Sequence, residues 1–469
     1  MSWIDDFSKF LKMEEELDLF KAQVDGVMFW ERIRFQVYAT IINRSSVKAS
    51  SKPSFRSGLS RLKRLFLSVV KFTKNPLLAP RSDILFVSSS RRFLEADGLW
   101  WDIYSDPIIE NLSISSVTVE THFNNTHRSP AKTTGLRYLD FFEFISYFKR
   151  KLGLVKVAIR ESEAKLLAEI RNEILRRFEF AMDVELLTRR ILEERKAKLP
   201  FYVKMLRRIQ PKVVVMTQGY VGEDIIEACK IQGVTSVELQ HGVIHPQHIA
   251  YSFTGESRTK KMFTDYILLW GEHWKSNIEF PIDSEHIISV GFPYLDSKRK
   301  EISEVSKRKQ ILFISQGIIG KILSRFAVAL NKEIGKDYSI LYKLHPRECV
   351  GWREQYPDLA ASDVLVIDKP GARLHSLFLE CSIQVGVCST ALYEGLVFGL
   401  QSYVIDAPCV EIMAPLLERE LVKKVSTPNE LIGLLKENRR LELHDVRHFF
   451  RENAVENIGS FLEGLCKPG

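Results

Sequence analysis

The feature that most constrains this chain is a repeated alternation of short apolar runs with helical stretches from residue 82 onward. The apolar runs have the length of strands, and they cover residues 83–90, 211–220, 235–242, 264–272, 286–293, 308–317, 338–346, 363–371, 382–390 and 401–406. Strands that alternate with helices are typical of parallel sheets covered by helices on both faces. In such sheets, ligands bind beyond the carboxyl ends of the strands. We therefore expect the functional residues where strands end.

The length of the chain indicates more than one such sheet. Its 469 residues exceed what one hydrophobic core usually organises. We predict an α/β protein with two Rossmann-like domains that face a cleft, preceded by a helical, basic N-terminal extension. The predicted divisions are a helical N-terminal region at 1–80, a Rossmann-like acceptor domain at 81–263, a Rossmann-like nucleotide-donor domain at 264–425 and C-terminal helices at 426–469. Residues 8–42 and 156–209 are predicted to be helical.

The positive charge is concentrated near the N-terminus. The formal net charge is +8, and residues 44–81 contain ten Lys or Arg and no acid. Residues 59–74 place apolar side chains on one face and bases on the other, which predicts a basic amphipathic helix. Such a helix either packs on the protein core or lies on an anionic membrane surface. Nucleic acid is not a predicted partner, because the segment lacks interleaved aromatic residues and the rest of the chain is near charge balance.

Three further absences favour the cytoplasm as the location. No apolar run reaches 18 residues, and the acidic start of the chain does not resemble a signal peptide. The six cysteines form no C-x-x-C pair, so we expect reduced, structural thiols. Peripheral contact with the inner face of the membrane, through residues 59–74, is left open.

A histidine follows the apolar run that ends near residue 239. Gln240, His241 and Gly242 lie at this strand end, where His241 can act as a general base on an acceptor hydroxyl and glycine permits close approach of a ligand. The alternative is a structural histidine bonded to a neighbouring loop. His245 follows in the same segment and is a further candidate to line the cleft. We predict no metal site here, because Pro246 breaks the helical phase of the histidines and no acidic ligand is near.

A second group follows the strand near residue 343. Lys343, His345 and Arg347 would gather hydrogen-bond donors and positive charge at one strand end, and Pro346 stops the strand there. Such a group suits a diphosphate, because charge-assisted hydrogen bonds contribute about 1.5–3 kcal/mol each. The alternative is a surface turn with solvated bases.

A third group combines two strand ends. Ser389 and Thr390 end an apolar run and would cap the next helix, whose positive N-terminus can hold phosphate. Glu394, one turn into that helix, could accept hydrogen bonds from ribose or base hydroxyls. Gln316 and Gly317 follow the strand at 308–317 in a glycine-containing turn, which is a weak signal by itself. The P-loop pattern G-x-x-x-x-G-K-[ST] does not occur.

Together these motifs resemble the GT-B-fold enzymes of bacterial capsule, teichoic acid and lipopolysaccharide synthesis. The resemblance covers about 205–410 and is carried by Q-H-G at 240–242, W-G-E at 270–272, G-F-P-Y-L-D at 291–296, K-L-H-P at 343–346 and S-T-x-x-x-E-G at 389–395. The group includes bacterial sialyltransferases and polysialyltransferases, capsular Kdo transferases and CDP-glycerol glycerophosphotransferases.

The resemblance implies roles for individual residues. His345, Ser389 and Thr390 would contact the phosphates of a CMP- or CDP-linked donor, and His241 would be the base. The sialyltransferases carry an acidic D/E-D-G motif, for which Glu223 and Asp224 are the candidates here. Where the glycerophosphotransferases place Trp and Asp, this chain has Gln240 and Cys388.

The expected function is therefore that of a glycosyltransferase without metal or cofactor. It would move a sugar, of sialic acid or Kdo type, from a CMP-activated donor to a capsule, lipopolysaccharide or related surface glycan, which can be lipid-linked. A CDP-glycerol or ribitol-phosphate transferase, a UDP-sugar 2-epimerase and a non-catalytic protein of the capsule machinery are the alternatives.

Overall fold

The chain forms two compact units in a computed structural model. Unit 1 comprises Met1–Val290 with Val455–Gly469, and unit 2 comprises Gly291–Ala454. The structure describes residues 3–43, 72–89, 92–123, 126–253, 262–299, 307–317, 319–334, 337–368, 374–436 and 446–467. The basic segment at 59–74 lies outside these residues except for a 3₁₀ turn at Phe72–Lys74. None of the described helices is long and apolar enough to cross a membrane.

Unit 1 begins with two helices joined by a hairpin. These elements are α1 (Trp3–Glu16), β1 (Gln23–Val24), β2 (Val27–Met28) and α2 (Trp30–Ile42). The prediction of continuous helix over 8–42 is wrong at the hairpin, because Asp25 and Gly26 adopt positive φ angles of 52° and 72° and turn the chain. A buried ion pair joins the two helices, with Arg34 Nη2 2.9 Å from Glu14 Oε2.

The main sheet of unit 1 has seven parallel strands. The strands of unit 1 that follow the first hairpin are β3 (Ile84–Ser89), β4 (Phe93–Leu94), β5 (Trp100–Trp101), β6 (Ser116–Thr121), β7 (Arg137–Tyr138), β8 (Val213–Met216), β9 (Thr235–Leu239), β10 (Tyr266–Leu269) and β11 (Ile287–Ser289). Their order in the sheet is β11-β10-β9-β8-β3-β6-β7, and β4 pairs with β5 in a separate two-stranded sheet. Every residue of β8 is buried, as expected of a central strand with helices on both faces.

Unit 1 also contains helices between Asp106 and Ser276. They are α3 (Asp106–Ile109), α4 (Asp140–Lys151), α5 (Glu161–Phe178), α6 (Val184–Ile209), α7 (Glu223–Gln232) and α8 (Glu272–Ser276). The predicted helix over 156–209 is divided between α5 and α6. Glu179 adopts a left-handed conformation at the end of α5, and Asp183 caps α6 by accepting a hydrogen bond from Leu186 N at 2.8 Å.

Unit 2 repeats the architecture with a six-stranded sheet. Its strands are β12 (Arg308–Ile314), β13 (Ser339–Lys343), β14 (Leu365–Ile367), β15 (Cys381–Gly386), β16 (Gln401–Ile405) and β17 (Lys423–Val425), in the order β14-β13-β12-β15-β16-β17 and all parallel. Its helices are α9 (Pro293–Arg299), α10 (Gly320–Glu333), α11 (Trp352–Gln355), α12 (Pro357–Ala360), α13 (Leu374–Glu380), α14 (Thr390–Val397), α15 (Ala414–Glu418), α16 (Pro428–Lys436) and α17 (Val446–Phe449). The prediction of an α/β protein with two parallel sheets is confirmed.

The last helix, α18 (Ala454–Cys466), belongs to unit 1. Ile458 and Leu462 pack with Ile84 and Val213 of the seven-stranded sheet. The predicted group of C-terminal helices at 426–469 is therefore divided, because α16 lies in unit 2.

The predicted boundary between residues 263 and 264 is too early. Strands β10 and β11 extend the first sheet, since β10 pairs in parallel with β9, and the division falls after Val290. The alternation of strands and helices is the same on both sides of the boundary, so periodicity does not show which sheet a strand joins.

Candidate functional site

In unit 2, three predicted site loops lie at the carboxyl ends of adjacent strands. Strand β12 lies between β13 and β15, so the loops that follow these strands meet at one edge of the sheet. The thiol of Cys388, after β15, donates to Gln316 Oε1, after β12, at 3.2 Å. The predicted turn at Gln316 and Gly317 and the predicted hydroxyl pair therefore belong to one cluster, which we call the strand-end cluster.

A buried carboxylate connects the other two loops. Glu348 is 3% exposed, and its Oε2 accepts a hydrogen bond from the backbone N of His345 at 2.9 Å. Its Oε1 accepts from Ser315 Oγ at 3.1 Å and from the hydroxyl of Tyr356. Glu348 therefore fixes the His345 loop to the end of β12. A Cβ added to Gly320, at the start of α10, would lie 2.5 Å from Glu348 Oε1, so glycine is required beside this carboxylate.

The three bases predicted after β13 have different surroundings. The Nδ1 of His345 accepts from the backbone N of Arg347 at 3.2 Å, so the neutral imidazole carries its proton on Nε2. Pro346 and Arg347 are exposed. Lys343 is buried instead, with Nζ 3.3 Å from the carbonyl oxygen of Leu344, and this burial lowers the pKa of its ammonium group. That Lys343 adds its charge to those of His345 and Arg347 at this strand end stays a prediction, and the structure buries the Lys343 side chain.

The helix after β15 begins as predicted. Ser389 is the N-cap of α14, and its Oγ accepts from Ala391 N at 3.3 Å. Thr390 is the first helical residue. Glu394 has a partner that the sequence did not reveal, because its Oε2 lies 2.7 Å from Nε2 of His375.

In unit 1, the predicted Q-H-G segment follows β9. Gln240 is 1% exposed, and its amide joins two loops: Nε2 donates to the Gly242 carbonyl at 2.9 Å and Oε1 accepts from Trp270 N at 2.8 Å. We had expected Gln240 to line a cleft. Its buried contacts show that it holds the loop that carries His241.

His241 is part of an aromatic and imidazole cluster. Its Nε2 lies 3.2 Å from the hydroxyl of Tyr220, and its carbonyl accepts from the hydroxyl of Tyr104 at 2.9 Å. His248 packs against Tyr220 and against His245, with ring centroids 5.9 and 5.8 Å apart. Burial lowers the pKa of His245 and lowers that of His248 to about 3.

The predicted acidic pair opens helix α7. Asp224 Oδ1 lies 2.7 Å from Nη1 of Arg32, whose side chain is 3% exposed and which also bonds Glu227. Burial raises the pKa of the Asp224 carboxyl group, and Arg32 opposes that rise. This ion pair occupies Asp224, so among the predicted bases the geometry favours His241 and Glu223.

A further group of potential metal ligands is present among the described residues. Asp283, Glu285 and His286 bring their ligand atoms within 4.8 Å of one another at a turn on the surface. None of the three was predicted as a site residue, and two of them are exposed.

Several residues of these sites were not predicted. Glu348 has a weak signal, since it lies three residues after His345, a spacing at which a carboxylate can reach back to a backbone N–H. No sequence signal points to Arg32, Tyr220 or His375, because each of them reaches the site from a segment without a motif.

No family model matches the chain, and no curated protein matches it. Among solved structures, UDP-GlcNAc 2-epimerase from Methanocaldococcus jannaschii is 14% identical with a TM-score of 0.47, over 81% of this chain and 99% of that chain. The wall teichoic acid polymerase TagF is 12% identical with a TM-score of 0.45, over 88% and 98%. MurG from Acinetobacter baumannii is 9% identical with a TM-score of 0.45, over 82% and 100%. These are distant likenesses, and the class of the chain, an α/β protein with two parallel sheets, rests on its own strands.

Proposed function

We propose that this chain is a nucleotide-sugar-dependent glycosyltransferase that needs no metal and takes its sugar from a CMP-activated donor. The acceptor would be a capsule, lipopolysaccharide or related surface glycan. The observation that carries the proposal is the strand-end cluster of unit 2, in which loops after β12, β13 and β15 are joined by the Cys388–Gln316 and Glu348–Ser315 hydrogen bonds. These loops contain the motifs through which the sequence resembles surface-glycan transferases.

The groups of this cluster suit a leaving phosphate. The N-terminus of α14 presents backbone N–H groups and the positive end of the helix dipole next to Ser389 and Thr390. His345 would donate from Nε2, and the exposed guanidinium of Arg347 would add a full positive charge. In these roles the side chains and the helix neutralise the developing negative charge, which is the work that a divalent ion does in other transferases.

His241 is the proposed base for the acceptor hydroxyl. Its Nε2 lies near the hydroxyl of Tyr220, which can orient the ring and can exchange a proton with it. Glu223 remains the second candidate, whereas Asp224 is held by Arg32.

Nucleotide binding to the full-length protein tests the proposal. Thermal unfolding is measured with CMP, CDP, UDP, GDP or ADP in the presence of EDTA, on the wild type and on His345→Ala. A nucleotide at a hundred times its dissociation constant should stabilise the wild type by about 2.7 kcal/mol. His286→Ala, a partly exposed histidine of unit 1, is the control. Stabilisation by CMP, with or without CDP, that His345→Ala removes and His286→Ala retains supports the proposal.

Other nucleotide responses redirect or refute the proposal. Stabilisation by UDP alone would favour a UDP-sugar enzyme, such as a 2-epimerase. If CDP stabilises and CMP does not, a CDP-glycerol or ribitol-phosphate transferase becomes the better description. If no nucleotide stabilises the protein, the proposed enzyme class is refuted.

Two substitutions at Ser389 separate capping from phosphate binding. Asp caps a helix about as well as Ser, but it places a negative charge where the phosphate would bind. Ser389→Asp should therefore keep the melting temperature of the free protein and lose the stabilisation by nucleotide. Ser389→Ala should cost about 1 kcal/mol of stability, through loss of the cap, and should weaken nucleotide binding less than Ser389→Asp does. Unchanged nucleotide binding in Ser389→Asp would remove α14 from the site.

A further inference from the structure

Unit 1 contains a cavity that the proposed donor site does not use. Its volume is about 430 Å³, and it lies beyond the carboxyl ends of β3, β6 and β8, next to the start of α7. Helix α2 supplies one wall, including Phe35 and Gln36, and helix α6 supplies another, including Lys198. We call this cavity the α2 pocket. It is lined in part by helix α2 of the N-terminal region, for which the sequence predicts no binding role.

The charges of the α2 pocket exclude a phosphate ligand. Four carboxylates line it, against two cations, Arg32 and Lys198. Both cations are already paired, since Lys198 Nζ lies 2.5 Å from a carboxylate oxygen of Glu143 and of Glu194, and Arg32 bonds Asp224 and Glu227. An anion entering the pocket would meet excess negative charge and no uncommitted base.

The start of helix α7 also disfavours an anion in the α2 pocket. A helix N-terminus attracts anions, but the first turn of α7 carries Glu223 and Asp224, whose carboxylates already complement the dipole. The pocket therefore differs from the N-terminus of α14, whose first turn has no acid.

The remaining walls fit a sugar. Gln36, Gln218, Thr121 and Thr217 supply amide and hydroxyl groups, and Tyr220 packs against Phe35 with ring centroids 4.7 Å apart. Carboxylates and amides accept hydrogen bonds from sugar hydroxyls, and aromatic side chains offer an apolar body to the C–H faces of a sugar ring. The volume is within the range of small-molecule sites.

From these observations, we propose that the α2 pocket binds an uncharged sugar residue, and that this residue belongs to the acceptor glycan. The assignment to the acceptor rests on the proposed transferase function, whereas binding of a neutral sugar does not. Helix α2, held by the partly buried Arg32–Asp224 ion pair, is then part of the binding site and not only of the core.

Saturation-transfer NMR on the full-length protein without nucleotide tests this. The probes are lactose, maltose, cellobiose and N-acetyllactosamine, with CMP and spermidine as charged competitors. The test variant carries Gln36→Leu and Gln218→Leu, which remove two polar groups of the pocket without changing its charge. The control is Gln355→Leu, an exposed glutamine of unit 2.

At least one sugar should receive saturation from the wild type and from the control. The double variant should bind it about tenfold more weakly, as expected from the loss of two neutral hydrogen bonds. CMP should not displace the sugar.

Three outcomes overturn the proposal. They are no saturation transfer to any of the four sugars, sugar binding that the double variant retains, and displacement of the sugar by spermidine, which would make the pocket a cation site. Because nucleotide is absent, these outcomes are independent of the thermal test of the donor site. A protein that binds cytidine nucleotides but no sugar would keep the proposed function and lose this inference.

Discussion

Glu348 offers the sharpest test of how the strand-end cluster is held together. Its carboxylate is buried and accepts three hydrogen bonds, from the His345 backbone, from Ser315 and from Tyr356. Ser315 Oγ also lies 3.0 Å from the hydroxyl of Tyr342, so it keeps a partner when the carboxylate is removed. Hydrogen bonds to charged groups contribute about 1.5–3 kcal/mol each. Because the bonds from His345 and Tyr356 are lost without replacement, Glu348→Ala should lower the free energy of unfolding by about 3–5 kcal/mol.

Glu348→Gln should destabilise the protein much less than Glu348→Ala does. Its amide oxygen can still accept from the His345 backbone, and its NH₂ group can donate to the Tyr356 hydroxyl, which also accepts. The substitution removes only the negative charge, so we expect the free energy of unfolding to fall by about 1 kcal/mol.

Hydrogen exchange measured by mass spectrometry provides a local readout. Amides in peptides that cover 339–348 should exchange about 100-fold faster or more in Glu348→Ala, which corresponds to about 2.7 kcal/mol or more of lost protection. Glu354→Ala, an exposed carboxylate on α11, is the matched control and should leave these amides unchanged. Nucleotide binding should fall in the same order, wild type, Gln and Ala.

Two results would refute this reasoning. If Glu348→Ala exchanges like the control, the three hydrogen bonds do not hold the loop. If Glu348→Gln is as damaging as Glu348→Ala, the negative charge of Glu348 matters and not its geometry as an acceptor.

Three further predictions concern a histidine, an ion pair and a pair of cysteines. The pKa of His248 is lowered from 6.5 to about 3, so on acidification the unfolded state takes up this proton before the folded state does. The free energy of unfolding should therefore fall by about 2 kcal/mol between pH 7.5 and pH 5. Urea unfolding of His248→Phe should show a correspondingly smaller fall. Arg32→Met leaves the Asp224 carboxylate without its buried ion pair and should destabilise unit 1 by about 3–5 kcal/mol, and a calorimetric change below about 1 kcal/mol would contradict this. A hydrogen bond between the Cys388 and Cys409 thiols lowers the pKa of Cys409 and raises that of Cys388, so limited alkylation followed by peptide mass mapping should modify Cys409 before Cys388.

The strands could be predicted where apolar runs are short and bounded. The apolar run at 211–220 predicts a strand, and β8 occupies Val213–Met216 within it, with every residue buried. The strand β17 at Lys423–Val425 was not predicted, because two of its three residues are lysines and it pairs only with β16 at the edge of its sheet. Apolar patterning does not show where a strand lies in a sheet, since the edge strands β11 and β14 were predicted and the interior strand β6 was not.

The loops of the candidate site could be predicted, but their partners could not. His345 and Ser389 each follow a predicted strand, and parallel strands have their carboxyl ends on the same side of a sheet. The sequence therefore predicts that the two residues lie at one edge of the sheet. The pairing of Arg32 with Asp224 spans 192 positions in the chain and depends on how α2 packs against α7. Likewise Lys343 follows the motif of a phosphate ligand, yet the structure buries its ammonium group beside the Leu344 carbonyl.

The two units show why the residues at strand ends, and not the fold, decide what each site can bind. Both units place a helix N-terminus beyond the carboxyl end of a buried parallel strand. In unit 1 the helix α7 begins with Glu223 and Asp224, so the dipole is already complemented and the adjoining cavity is acidic. In unit 2 the helix α14 begins with Ser389 and Thr390, which cap it without adding charge and leave its positive end available to a phosphate. A nucleotide diphosphate should therefore bind at α14 and not at α7, and this preference follows from two residues at the start of each helix.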